Sequence, residues 1–331
     1  MLASKQVHSL KRWGTLSLIA LVILILSACG NGESNKGNTE APAAAVKENT
    51  PAATVEPSTE RTVKDAYGDV KVPANPSKIV VLDIGALDNL LELGIKPIGA
   101  PSILAAGDPY PAYLKGTEGI QNIGSVNEPN LEAIDALKPD LIIGNKDTHD
   151  AIYSQLGQIA PTVFVETLGV TWKNNLQLHA DAVNKSEEGK KLLDAYQARI
   201  DQFKADLAGQ DVKKVSLFRP RADKIQIYLK DTFAGTIMTD AGVQRVDSQN
   251  VEGFSKDVTE EQMTELDGDV ILWFNREPDA FAKLEKSPLW TSLPGVQSKQ
   301  VKPVDWEYWM SGLGIQAVNK VVDDLHSFLL K

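Results

Sequence analysis

From Lys78 onward the chain alternates short, wholly apolar runs with longer segments in which apolar residues recur every three or four positions. Ile79-Val80-Val81-Leu82 is a run of the first kind, suited to a strand buried on both faces. Leu87, Leu90, Leu91 and Leu93 follow at helical spacing, and Gly94 supplies the stop. Pro97 to Ala100 predicts another strand, Leu131, Ile134 and Leu137 mark a helix face, and Leu141 to Ile143 and Val163 to Val165 predict further strands. The second half repeats this grammar, with strands expected at Val215 to Phe218, Ile225 to Tyr228, Val270 to Trp273 and Val301 to Val304. Alternation of this kind predicts an α/β fold in which sheets are covered by helices.

One internal echo is more specific. Glu132 stands eight residues before Asp140, which opens the run Leu141-Ile142-Ile143, and Glu261 stands eight residues before Asp269, which opens Val270-Ile271-Leu272. The repeat predicts two Rossmann-like lobes of related topology. Between them Leu192, Tyr196, Ile200, Phe203 and Leu207 recur at helical spacing among charged residues, and Gly209 ends the pattern. A helix over Ser186 to Ala208 would be roughly 34 Å long, and one such rod restricts two lobes to small tilts, whereas loops permit wide closure.

The chain before these lobes differs in kind. Lys5, Lys11 and Arg12 precede an apolar stretch from Leu16 to Leu26, and small Ser27 and Ala28 lead into Cys29, the order of a cleaved secretory signal. Leu26-Ser27-Ala28-Cys29 resembles a lipobox, which implies acylation of Cys29 and a lipid anchor in the bilayer. Gly30 to Glu60 has hardly any large apolar side chain and reads as a tether. The expected organisation is therefore a signal peptide over 1–28, a tether over 29–60, a first lobe over 61–185, the interlobe helix over 186–209 and a second lobe over 210–331.

Composition narrows the chemistry. The formal charge is −10, and because residues 1–28 carry three basic side chains and no acidic one, the remainder carries −13. That balance argues against nucleic acid as a partner, while a local cluster of cations can still receive an anionic ligand. Cys29 is the only cysteine, so no internal disulfide, thiolate metal site or cysteine nucleophile is available. His149, His179 and His326 are the only histidines beyond the leader, with no HExxH spacing, and no resident metal or cofactor is expected. Gly312-Leu313-Gly314 begins a loose dinucleotide fingerprint, but too little chain follows to complete it. A membrane-anchored hydrolase is the alternative of a different class, with His149 beside Ser102 or Ser125 as its seed.

Pro76 to Leu82, Leu93 to Gly99, Asn130 to Asn145, Gln158 to Val163 and Thr259 to Ile271, in this order, resemble the solute-binding lipoproteins of ABC importers for ferric siderophores, ferric citrate and vitamin B12. The resemblance covers about Val63 to Lys331. It implies the class III periplasmic-binding-protein-like fold, two lobes on one spanning helix, and a monomeric, non-enzymatic receptor on the extracytoplasmic face of the cell membrane. Its partners would be a ferric siderophore or ferric citrate, arriving already chelated, and the permease subunits of the importer. A vitamin B12 or haem receptor is the alternative within the group. The chain looks closest to the citrate, carboxylate and mixed citrate-hydroxamate branch, matched at Glu166 to Leu168, Trp172 with Lys173, and Asp231 to Phe233 among others. It has Thr148, Gly169 and Gln226 where citrate-type pockets are expected to carry arginines.

Candidate ligand-binding residues follow from strand ends and from side-chain chemistry. Arg219, at the end of an expected strand, offers a planar fork of donors to carboxylate or hydroxamate oxygens. Lys146 ends a first-lobe strand and either faces Arg219 across a cleft or is simply solvated. Trp309, with Tyr308 and Trp306, forms an aromatic cluster able to cover the apolar rim of a ligand or to serve as core. Tyr228, Trp273, Arg276, Arg221 and His149 complete the set. By the resemblance, Glu132 and Glu261 dock the two lobes onto permease arginines.

Overall fold

In the computed structural model, residues 59–211 and 213–330 are described. Cys29, the apolar run before it and most of the tether lie outside these residues. Among the described residues no helix is long and apolar enough to cross a membrane.

Strands β1 (Glu60–Asp65) and β2 (Gly68–Pro73) form an antiparallel hairpin that the apolar pattern does not announce. The first lobe follows, with five parallel strands: β3 (Ile79–Val81), β4 (Gly99–Ser102), β5 (Gln121–Ser125), β6 (Leu141–Asn145) and β7 (Thr162–Val165). Their order is β5-β4-β3-β6-β7. The second lobe contains β8 (Lys214–Pro220), β9 (Ile225–Tyr228), β10 (Gln244–Arg245), β11 (Ser255–Val258), β12 (Val270–Phe274) and β13 (Val301–Val304). Its main path is β11-β9-β8-β12-β13, so counting along the chain without β10 the two sheets share one strand order. The second sheet departs from an all-parallel Rossmann pattern because β9 and β11 run antiparallel to their neighbours. Arg221 N–H donates to Lys224 O across a tight turn between β8 and β9, and a link that short can only reverse the chain.

The internal echo has a structural cause. Asp140 accepts from the backbone N–H of Ser77 and Lys78 just before β3, and Asp269 accepts from Lys214 N–H at the start of β8. In each lobe the aspartate before one strand fixes the start of the strand beside it, since β6 pairs with β3 and β12 with β8.

Helices α1 (Ile84–Glu92), α2 (Leu131–Leu137), α3 (Trp172–Ala182), α4 (Ser186–Leu207), α5 (Phe233–Asp240) and α6 (Ile315–Leu329) carry the rest of the architecture. The spanning helix is α4, with Glu187 and Glu188 in its first turn and Lys204 in its last, the arrangement the helix dipole favours. Tyr196, Ile200 and Phe203 turn inward to a core that also takes Trp172 and Leu176 of α3 and Val215 and Leu217 of β8. A second link joins the lobes. The N-terminus of α6 is capped by first-lobe residues, with Ile315 N–H donating to Asn89 Oδ1 at 3.0 Å, Gln316 N–H to Asp88 Oδ1 at 2.7 Å and Ala317 N–H to Asp88 Oδ2 at 3.0 Å. These donors are the orphan groups every helix start leaves open.

Candidate functional site

In open α/β sheets the carboxyl ends of strands near the change in strand order border the ligand crevice. Here those ends are Asp83 after β3 and Asn145 at the end of β6 in the first lobe. Asp83 is buried, accepts from Ala86 N–H as the N-cap of α1, and takes the Asn145 side-chain amide at 3.0 Å. In the second lobe Thr232 caps α5 by accepting from Gly235 N–H at 2.9 Å. Both capped helix starts open onto one chamber.

That chamber has a volume of about 720 Å³ and takes walls from both lobes. The first lobe supplies Asp83, Ile84, Val126 and the loop Thr167 to Val170; the second supplies Asp231 to Phe233, Phe254, Met310 and Leu313. A neighbouring chamber of about 640 Å³ is bordered by Leu104, Asp108, Arg276, Asp305 and Glu307. Ile103 and Trp306 line both, so the two form one cleft. Its apolar lining extends to the mouth, where Val170 is 44% and Phe254 55% exposed, area that a ligand with a hydrocarbon flank would cover.

A polar cluster adjoins the second-lobe wall through Arg276. The Arg219 guanidinium forks onto both carboxylate oxygens of Glu277, with Nε at 3.1 and 2.9 Å. This pairing raises the Arg219 pKa above the usual arginine value. Arg276 lies with its guanidinium 4.0 Å from the centre of the Trp306 ring. Burial, and then repulsion from Arg219, lowers its pKa. Tyr228 is buried between Phe254 and Phe274, and its hydroxyl donates to Gln226 at 3.0 Å. Burial raises its pKa.

Of the residues singled out from sequence, Arg276 borders the cleft directly; Arg219 and Tyr228 do not line it, but Arg219 shares Glu277 with Arg276 and Tyr228 packs on the lining residue Phe254. Arg221 is exposed at the rim of a separate hollow beside β9. Trp273 stacks on Phe281 at 3.7 Å in the second-lobe core. Trp309 is corrected to a core residue. It is fully buried and its indole N–H donates to Asp324 at 2.8 Å, while Tyr308 donates its hydroxyl to the same carboxylate. Within the aromatic cluster it is Trp306 that faces the cleft. His149 is also structural, being buried with Nδ1 facing Asn145 N–H at 3.4 Å and Nε2 at 2.9 Å from Val126 O. Both ring nitrogens are therefore engaged by backbone. Ser102 is committed to Asp108 O and Asn122, and Ser125 to Glu128 N–H, so the hydrolase seed does not form. Lys146 pairs with Glu166 at 2.9 Å and does not line the cleft. Glu132 and Glu261 are exposed near the starts of their short helices. No group of three or more His, Cys, Asp or Glu suited to a metal ion occurs among the described residues.

A family model described as periplasmic binding protein matches residues 79–307, which includes both sheets and the spanning helix. The chain belongs to the periplasmic binding protein family. The family's members are transport components, not enzymes. A relative from Bacillus subtilis (strain 168), named probable siderophore-binding lipoprotein YfiY, is 38% identical over 97% of this chain and 99% of its own length. The Fe(3+)-citrate-binding protein YfmC of the same organism is 29% identical over 96% of this chain and 97% of its own. Among solved structures, Staphylococcus aureus SirA complexed with staphyloferrin B superposes with a TM-score of 0.72 at 28% identity, covering 81% of this chain and 98% of that one. The shared fold is the class III form, two α/β lobes on one spanning helix.

The lining that residue-level reading missed is mostly apolar: Ile84, Ile103, Val126, Val170, Phe254, Met310 and Leu313. The matched segments Glu166 to Leu168 and Asp231 to Phe233 came nearer, because Thr167, Leu168 and Asp231 to Phe233 all reach the larger chamber. The available signal was position, each segment lying just after a strand or just before a helix at the sheet's carboxyl edge.

Proposed function

We propose that this chain is the substrate-binding component of an ABC importer that takes up iron as a ferric siderophore or ferric citrate complex. The carrying observation is the cleft itself. It lies between the lobes, at carboxyl strand ends, with largely apolar walls in the larger chamber, a site for an organic shell that already satisfies its metal. Chelated iron needs no ligands from the protein. Binding favours an arrangement in which both lobes touch the chelate, and the permease reads that arrangement. Glu132 and Glu261, one on each lobe, are the charges offered to the permease, where they set orientation and encounter rate. Acylated Cys29 would hold the receptor at the outer face of the cell membrane, as a monomer. The names of the relatives support this reading.

Calorimetric titration of the purified chain with ferric chelates, the same chelators without iron, iron(III) alone, haem and cobalamin tests it. One class of ferric chelate should bind with micromolar or tighter affinity and the free metal should not. Binding of haem or cobalamin in place of every ferric chelate would overturn the proposal.

A further inference from the structure

The charges around the cleft are arranged against the ligand type that an arginine at the end of β8 would otherwise invite. Arg219 is only 14% exposed at its side chain and is held by both oxygens of Glu277, itself 28% exposed. A guanidinium satisfied by a bidentate carboxylate has spent the planar fork that recognises a ligand carboxylate. Arg276 has its flat face on Trp306 and lies 3.8 Å from the same Glu277, while Arg221 acts on the cluster from the exposed surface. One carboxylate therefore engages both Arg219 and Arg276, and its two-point pair is the one with Arg219.

The walls tilt the balance further. Among the described residues lining the two chambers, Arg276 is the one cation, while Asp83, Asp231, Asp108, Asp305 and Glu307 are acidic. Each of these accepts a backbone N–H, Asp83 from Ala86, Asp305 from Glu307 at 2.9 Å, Asp231 from Gly253 at 2.6 Å, Asp108 from Ala105 at 3.2 Å and Glu307 from Ala112, and none is paired with a cation among the lining residues. A chelate with several negative charges would enter a space with low-dielectric apolar walls, little screening and a net excess of carboxylates. An iron(III) ion surrounded by three hydroxamates carries no net charge, and one held by two hydroxamates and a citrate α-hydroxycarboxylate carries about one negative charge. Either presents the hydrocarbon surface that Val170 and Phe254 await at the mouth.

We propose that Glu277 is a charge-selectivity residue of this cleft: by holding Arg219 in a two-point pair it sets the site to accept ferric chelates of zero or single charge with an apolar flank and to refuse multiply anionic ones. The inference rests on the ferric-chelate reading above and deepens it by naming the class of chelate. Glu277 acts through Arg219, which makes it a positioning residue whose removal should change which ligand binds, more than how well the fold holds.

The test is a binding titration of the full chain with an uncharged ferric trihydroxamate, a ferric dihydroxamate-citrate complex, ferric dicitrate and a trianionic ferric tricatecholate, in wild type, Glu277→Gln and the double variant Arg219→Gln/Glu277→Gln. Wild type should bind the first two at least about tenfold more tightly than the last two. Glu277→Gln should tighten an anionic chelate by about tenfold, a gain that fades with added salt, and leave the uncharged one within about threefold. The double variant should return the anionic affinity to the wild-type level. A wild type that prefers the trianionic chelate overturns the inference even if neither variant folds, and so does a Glu277→Gln protein with unchanged ranking. Failure of wild type to bind any ferric chelate is a separate result, which overturns the ferric-chelate reading and this inference with it.

Discussion

Two buried titratable residues under the cleft oppose each other in their response to pH. Burial pushes the Asp88 carboxyl up to about 7, against the pull of the Gln316 and Ala317 N–H groups. An unfolded aspartate titrates near about 3.9, so between these values the folded chain keeps a proton that the unfolded chain has lost, and stability falls as pH rises. His179 has the reverse sense. It is buried, with Nδ1 3.0 Å from the Asn89 amide, and burial lowers its pKa to about 4. Between there and the unfolded value near about 6.5, the unfolded chain binds the extra proton and stability rises with pH. Each slope is up to about 1.4 kcal/mol per pH unit, so in the wild type they largely cancel from about pH 4.5 to 6. Asp88→Asn should unmask the rise and His179→Gln the fall, measured by urea denaturation across that range. Parallel curves for all three proteins would refute the assignment. A second residue-scale expectation concerns Trp306, which alone of the aromatic cluster lines both chambers. Trp306→Phe should lose most of the ligand-dependent change in tryptophan emission, and Trp309→Phe should keep it while lowering the melting temperature.

At the scale of elements, the spanning helix depends on one close approach. A Cβ at Gly189 would stand 2.5 Å from Ala180 Cβ on α3, nearer than two carbons can pack. Glycine inside an exposed helix costs roughly 1 kcal/mol relative to alanine. Gly189→Ala should therefore stabilise an open site, yet here it should destabilise by about 1–3 kcal/mol through overpacking. Adding Ala180→Gly should recover much of that loss, and a denaturation cycle over the four proteins measures the coupling. What the sequence made legible follows the same physics. Continuous apolar runs located most of the strands flanking the sheet centres, because a strand buried on both faces leaves no other pattern. The helix over Ser186 to Leu207 was legible from its one-sided periodicity. The hairpin of β1 and β2 was not, since Val63 and Val72 are the only fully buried apolar residues in it. Nor could pattern separate Trp306 from Trp309, three residues apart on a four-residue helix, because only tertiary packing decides which indole meets Asp324 and which meets the cleft. Glu277 was missed for a similar reason: its partner Arg219 is 58 residues away in sequence.

For the molecule as a whole, the lobes are joined by α4, by the cap that Asp88 and Asn89 place on α6, and by side-chain contacts such as the Lys173–Asp240 ion pair at 2.6 Å. Ile84 and Leu313, on the cleft floor, lie beside that second junction, and a Cβ on Gly85 would come within 3.1 Å of Leu313. A receptor braced in this way should close by a small tilt, so the radius of gyration in solution should change little when a chelate binds; a large compaction would contradict the account. Replacing Glu132 and Glu261 together by Lys should spare chelate binding and abolish uptake in cells that depend on this importer, and normal uptake would remove both from the docking face. The central claim is that an already chelated iron sits between the lobes, held through its organic shell. A crystal structure of the chain with an uncharged ferric trihydroxamate tests this most directly. The account predicts anomalous iron density in the chamber between Thr167 to Val170 and Asp231 to Phe233, with every iron ligand supplied by the chelator; iron bonded to a protein side chain, or density on the outer surface of either lobe, would contradict it.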